Sequence, residues 1–382
     1  MDAERIAWIR LNRTGLSSQR QLALLRAFGS PEEIFAADDD DILVVEGITD
    51  LHLNKLRKAQ QDDTAERDAQ KLEAMGAQLL AYTDDDYPAL LRQIPDPPML
   101  LYVLGDLKIS DQLLIAMVGT RHPSQYGRQV AHDLARDLSQ AGAIIVSGLA
   151  VGIDGAAHQG ALDGNGCTIA VLGCGLDVLY PRTHAKLRER IISNGALITE
   201  MPLGVHPQAW HFPVRNRIIS GLSLATIVVE APHNSGALIT ADWALEQGRE
   251  VFVVPGPITN PRFKGNHQLL KEGAQLIESA DDVFNALGIP KETLKPAKGI
   301  PTEEAETLPI PSLPGLSPVE LKILQVLSKG ERHIDQIVRE AALSVTEVTT
   351  ALLQLEVKGL AVRQRGGMYV LSSNATQAFT MH

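Results

Sequence analysis

Cysteine is nearly absent: Cys167 and Cys174 are the only two in 382 residues. Two thiols exclude a disulfide framework and cannot build a zinc site alone. Both lie in or beside one apolar segment, so buried thiols in a reducing compartment are expected, which implies a cytoplasmic location. No apolar run approaches the roughly 18 residues that span a bilayer. The start, MDAERIAWIR, is charged and has no signal-peptide apolar core. An excess of positive charge is also missing. The formal net charge is −11, which argues against a general nucleic-acid coat but leaves room for a local basic groove. The acidic runs Asp38-Asp39-Asp40-Asp41, Asp84-Asp85-Asp86 and Glu303-Glu304 read as solvated surface.

Several catalytic and cofactor signatures are lacking too. There is no GxxxxGK[ST] loop, and Gly173-Cys-Gly175 is followed by Val178 where a dinucleotide fingerprint needs a third glycine. GxSxG is absent, so Ser235 after His233 reads as a helix-opening serine. Asp154 and His158 share a helix face but lack further ligands, so no metal is expected. No cofactor is expected either.

What is present is alternation. Leu113–Gly119, Ala143–Gly148, Cys167–Gly173, Ala196–Glu200, Ala225–Ala231 and Glu250–Pro255 are short, continuously apolar runs that fit strands buried on both faces. Amphipathic patterns lie between them, over Tyr126–Gly142, Asp154–Gly164, Thr183–Gly195 and Ser235–Gly248. This predicts an α/β fold with a doubly wound, mostly parallel sheet, extended by strands near Leu79 and Met99. Four segments follow: a small helical domain over 1–65, the sheet domain over 77–288, a proline-rich linker over 289–315, and a winged-helix domain over 316–374. Glu46 to Arg57 resembles the hairpin of SAM-like or helix-hairpin-helix domains, with Thr49 where a DNA-binding version has glycine. In the last segment, Ser317-Pro-Val-Glu320 and Ser344-Val-Thr-Glu347 are capping boxes, and Gly366-Gly367 turns a hairpin. Its candidate recognition helix is poor in basic residues, which favours protein contact over duplex readout. Arg363 and Arg365 on the wing are its one basic pair.

The most informative stretch is His211-Phe-Pro-Val-Arg-Asn-Arg-Ile-Ile-Ser-Gly-Leu222. Pro213 should open a helix there, and cations near a helix start work against the macrodipole. Either Arg215 and Arg217 flank Asn216 to bind a phosphate, or they pair with Glu200 or Glu230. At about 100° per residue the two arginines point apart, so one should be structural and one functional. Gly-rich turns end the other strands. Ser147-Gly-Leu-Ala-Val-Gly-Ile-Asp-Gly-Ala-Ala-His158 allows close backbone approach at Gly148 and Gly152, with Asp154 placed to cap a helix. Asn234, Ser235 and Gly236 offer N–H and hydroxyl groups to a further phosphate. Arg121, Arg182, Lys186 and Lys264 recur in such turns. A row of cations along one sheet edge suits a repeating polyanion.

Five ordered motifs then converge. Val118-Gly-Thr-Arg121 with Tyr126-Gly127, the Ser147–His158 stretch, Phe212-Pro-x-Arg-Asn-Arg-Ile-Ile-x-Gly-Leu-Ser223, Val229-Glu-Ala with Ser235-Gly-Ala-Leu-Ile-Thr-Ala241, and Pro255-Gly with Gly265-Asn-His-x-Leu-Leu resemble the DNA-processing protein A family (DprA, also called Smf). The resemblance covers roughly 80 to 288. It implies an extended Rossmann-like core that binds single-stranded DNA without cutting it, a homodimer, and loading of RecA recombinase during natural transformation. Arg121, Arg182 or Lys186, and Arg215, Asn216 and Arg217 carry over as its basic positions. Ser147, Gly148, Ser235, Gly236, Lys264 and Asn266 complete the expected interface. Ala237 and Lys264 depart from the family pattern, where serines are common. Two other functions compete. One is a nucleotide phosphoribohydrolase of the lysine-decarboxylase-like type, but Trp243 stands where its catalytic glutamate would follow. The other is a non-catalytic protein adaptor.

Overall fold

The computed structural model describes residues 1–107, 109, 112–290, 316–328, 332–341, 343–363 and 368–371. They fall into two compact units, residues 1–300 and 301–382. Most of the linker expected over 289–315, and Arg365 on the wing, lie outside the described residues.

The first unit is built on a nine-stranded sheet. Its strands are β1 (Gln78–Ala81), β2 (Leu100–Gly105), β3 (Leu113–Val118), β4 (Ala143–Ser147), β5 (Thr168–Val171), β6 (Gly195–Thr199), β7 (Ala225–Val228), β8 (Glu250–Val253) and β9 (Gln275–Leu276). The order is β1-β2-β6-β5-β4-β3-β7-β8-β9. The pairs β1–β2 and β2–β6 are antiparallel, and every other pair is parallel. β4 lies on one side of β3 and β7 on the other, so the connections diverge there and leave a crevice at its carboxyl end.

Side-chain alternation explains the continuous apolar runs. Along β3, Leu113, Ile115 and Met117 pack with helices Gln125–Gln140 and Ile153–Asp163. Leu114, Ala116 and Val118 pack on the other face with helices His211–Leu222 and Gly236–Glu246. Six helices over residues 3–74 close a third apolar cluster against the β1–β2–β6 end. Asn12 Nδ2 donates to Glu200 O and Tyr102 Oη to Asn12 Oδ1, which fixes the first helix on the sheet. Thr49 caps helix Asp50–Gln61 and its N–H donates to His52 Nδ1. This hairpin therefore spends its cap on itself.

The ends of β7 and β8 are closed by one buried amide. Asn266 Nδ2 donates to Val228, Val229 and Val254 carbonyls, and its Oδ1 accepts from Ala231 N–H. Neither cysteine is paired: Cys167 is half-buried and Cys174 buried. Burial pushes the Cys174 thiol up to about 11, so it stays protonated.

In the second unit, helices Pro318–Ser328, Ile334–Ala341 and Val345–Val357 pack with a three-stranded sheet of Arg332–His333, Ala361–Arg363 and Met368–Leu371. Both capping boxes form, with Ser317 exchanging bonds with Glu320 and Ser344 with Glu347. Among the described residues, no helix is long and apolar enough to cross a membrane.

Helices Gln125–Gln140 and Ile153–Asp163 touch through a glycine. A Cβ on Gly160 would lie 2.0 Å from His132 O. Gly160→Ala should force the helices apart and cost about 2 kcal/mol or more, as overpacking does. Chemical denaturation checks this, and an unchanged midpoint would show that the contact relaxes freely.

Candidate nucleic-acid interface

The crevice beyond β3 is a cleft of about 430 Å³. It is lined by the Val118–His122 turn, the start of helix His211–Leu222, and the Pro232–Ala237 turn. Arg121, Arg215, Asn216, Ser235 and Gly236 all line it, so residues spread over more than 100 positions meet in one place. Their geometry differs. Arg121 is exposed and lies over the Phe212 ring, its Cζ 4.9 Å from the centroid. Arg215 is only 3% exposed and forms part of the floor. Its Nη1 donates to Gly148 O at 2.8 Å and to Val171 O, while Nε has no partner among the described residues.

Burial pushes the Arg215 guanidinium down to about 10, which leaves it charged at neutral pH. Buried Asp154 opposes that shift and Arg121 adds to it. Asp154 sits inside the first turn of its helix and not at the cap expected for it. Gly152 is the cap, and Asp154 Oδ2 accepts from Gly148 and Ala150 N–H instead. Burial raises its carboxyl, and Arg215 pulls it back. The helix expected to open at Pro213 begins at His211, with the proline in its first turn where no N–H is needed.

The turn that carries Arg121 is held from behind. Glu230 is wholly buried, and its carboxylate accepts from Ser124 N–H and Ser124 Oγ. Thr120 N–H donates to Glu230 O at 2.7 Å. Sequence reasoning raised Glu230 only as a partner for the arginines, and the signal for its real role was its place directly after β7. Aromatic surface stands beside the cleft. Tyr180 packs on Phe212 with centroids 5.6 Å apart, and Trp210 is 64% exposed.

Other expected positions lie elsewhere. Ser147 is buried and donates to Met117 O. Asn266 spends its whole amide on backbone. Arg217 is 3% exposed and turned away from the cleft, with Nη1 and Nη2 on Glu200 at 2.7 and 2.6 Å and Nε on Asp96. Burial works against its charge, but Glu200 and Asp96 hold the guanidinium above its ordinary value. These three side chains therefore brace the fold. Gly148 lies beneath Arg215, where a Cβ would meet the guanidinium at 2.4 Å. Asn216 Nδ2 donates to Gly236 O and ties the two cleft helices together. Arg182 and Lys264 are exposed outside the cleft, and Lys186 lines a neighbouring groove. Arg363 ends a strand of the other unit. His158 is buried and its Nδ1–H donates to Thr168 Oγ1 at 2.7 Å, the Thr168 hydroxyl donating in turn to Ile145 O, and burial lowers the imidazole to about 3. It is a neutral packed histidine. No metal-binding cluster occurs among the described residues.

Removing Arg217 would strand two carboxylates beside a dry core. Arg217→Met should cost about 3 kcal/mol, the usual scale for breaking a buried pair. Arg217→Lys should recover little of it, since one ammonium cannot reproduce the two-pronged contact. Urea denaturation decides this, and a wild-type midpoint for Arg217→Met would remove the bracing role.

Comparison with known proteins identifies the family. The family model for DNA recombination-mediator protein A matches residues 78–288, and the DprA winged helix domain matches residues 306–367. A putative DNA processing protein DprA of Mycobacterium tuberculosis is 36% identical over 387 residues, covering 97% of this chain and 96% of the relative. The X-ray structure of DNA processing protein A from Streptococcus pneumoniae aligns with a TM-score of 0.67 and 36% identity, covering 75% of this chain and 98% of that one. A structure of the Helicobacter pylori protein, solved for its single-stranded DNA binding mode, aligns with a TM-score of 0.50 and 34% identity over 55% of this chain and 95% of that one. The chain belongs to the DNA recombination-mediator protein A family.

Proposed function

We propose that this chain binds single-stranded DNA at the carboxyl edge of its sheet, holds it without cutting it, and passes it to RecA recombinase, acting as a homodimer. The observation that carries the reading is Arg215: a buried guanidinium with an unbonded Nε, on the floor of a cleft whose rim carries Arg121. A buried cation in want of an acceptor is a site for an anion. The turn at Ser235–Gly236 opens helix Gly236–Glu246 beside it and adds the positive end of a helix dipole. Tyr180, Phe212 and Trp210 supply stacking surface, which a single strand can use and a duplex cannot. Arg182 and Lys264 place further charge along the same edge. The single-strand binding of the Helicobacter pylori relative supports this reading.

The enzyme alternative fits these residues less well. Trp243 takes the place of a catalytic glutamate, and its Nε1 donates to Pro213 O. Ser235 Oγ accepts from Ala237 N–H as a helix cap.

Two experiments test the reading. Arg121→Glu should abolish the shift of a single-stranded oligonucleotide, and wild-type affinity should fall with salt by about 0.7 log units per log unit for each phosphate bound. Unchanged binding by the folded variant would overturn the assignment. Glu230 should act through Arg121. Glu230→Gln should weaken binding about tenfold, or about 1.4 kcal/mol. Added to the milder Arg121→Ala, which leaves binding measurable, it should weaken binding no further. Additive losses in that cycle would mean that Glu230 does not position the turn.

A further inference from the structure

A second groove, of about 680 Å³, opens next to the cleft. Its walls are helix Gln125–Gln140, helix Ile153–Asp163 and the Thr183–Leu187 turn into helix Ala185–Ser193. The two cavities share a partition. Ala150 and Asp154 face the first, while Gly152 and Gly155 face the second. The partition is thin: a Cβ on Gly152 would lie 2.4 Å from Thr120 O and 2.8 Å from Arg121 Cα.

The groove carries uncompensated positive charge. Arg128 and Lys186 come from different walls, are exposed, and have no ion pair or side-chain hydrogen bond among the described residues. The nearby carboxylates are already engaged. Asp133 meets Arg136 and His132, and Asp163 meets Arg190 and His132. Gln129 and Gln159 donate their amide N–H groups to those same carboxylates at 2.8 Å, which leaves their amide oxygens as acceptors. The lining has no Phe, Tyr or Trp, and its two imidazoles are engaged, His132 with Asp163 and His184 with Leu149 O. Such a surface suits phosphates and polar base edges, not stacked bases.

We propose that a DNA strand seated in the first cleft continues over Gly152 into this groove, where Arg128 and Lys186 hold its next phosphates. This rests on the reading of the first cleft as a single-strand site. The groove then sets how many nucleotides one chain covers.

The test uses the full chain and oligothymidylates of increasing length, with anisotropy read at several salt concentrations. Wild-type affinity should rise with length beyond the few nucleotides that fill the first cleft. Arg128→Glu with Lys186→Glu should bind the short oligomers like wild type and lose about tenfold or more on the long ones. Its salt slope on long oligomers should fall by about 1.4, two phosphates at roughly 0.7 each. Arg128→Lys with Lys186→Arg should keep the length dependence. Wild-type binding of long oligomers by the double glutamate variant would overturn the proposal, as would equal loss at every length. Arg121→Glu separates the two ideas. It should lose binding at every length, and if it does not, the first-cleft reading fails and the continuation fails with it.

Discussion

One buried guanidinium organises the carboxyl edge of this sheet. Arg215 comes from helix His211–Leu222 and donates to carbonyls at the ends of β4 and β5, Gly148 just past the one and Val171 the last residue of the other. It thereby joins a helix to two strand ends. A charge so far from water is costly unless its hydrogen bonds are met. Two backbone acceptors take Nη1 and the nearby Asp154 eases the charge, which leaves Nε and Nη2 without a partner among the described residues. The same group that fastens the floor of the cleft thus leaves it attractive to an anion. Gly148 follows from this as a steric necessity, because any side chain there would occupy the space of the guanidinium.

The fold was legible because its physics is repetitive. Six apolar runs correspond to β3 through β8, and the alternation of Leu113 to Val118 between two helix layers explains why those runs show no polar face. β9, only two residues long and exposed, has no such pattern and escaped notice. The site was legible in residue type more than in direction. Helical geometry showed that Arg215 and Arg217 must diverge, but the partners that decide the matter lie 17 to 121 residues away, in Glu200 and Asp96. Asn266 illustrates the opposite limit. An asparagine in a Gly-Asn-His turn reads as a phosphate contact, yet four backbone groups from two separate stretches consume it. Arg128 had no sequence signal at all, since one arginine on an amphipathic helix is ordinary.

The overall acidity and the basic cleft are compatible because the carboxylates are placed differently. Asp39, Asp40 and Asp41 open a short helix and complement its dipole, and Asp39 pairs with Arg57. Asp84 receives Arg5, and Asp68 receives Arg13. These pairs hold the amino-terminal helices together and neutralise their own cations. At the cleft the balance reverses. Glu230, the carboxylate directly behind it, is buried and occupied with Ser124. Arg121 faces solvent with no ion pair among the described residues, over the π face of Phe212.

That reversal explains why a carboxylate can stand behind a basic cleft at all. A turn carrying an exposed arginine must be held in shape without covering that arginine, and its Thr120, His122 and Ser124 N–H groups are spent on Glu230 O, Thr120 Oγ1 and Glu230 Oε1. Glu230 resolves the conflict by gripping the far side of the turn, through Ser124 and the Thr120 N–H, with none of its oxygens in the cleft. Its charge lies behind the turn, while Arg215 on the floor of the cleft is fixed by uncharged carbonyls with the Asp154 carboxylate nearby. Rigid support comes from behind, and open charge faces forward. The division requires β7 to end beside β3, which is what the divergence of connections at β3 provides.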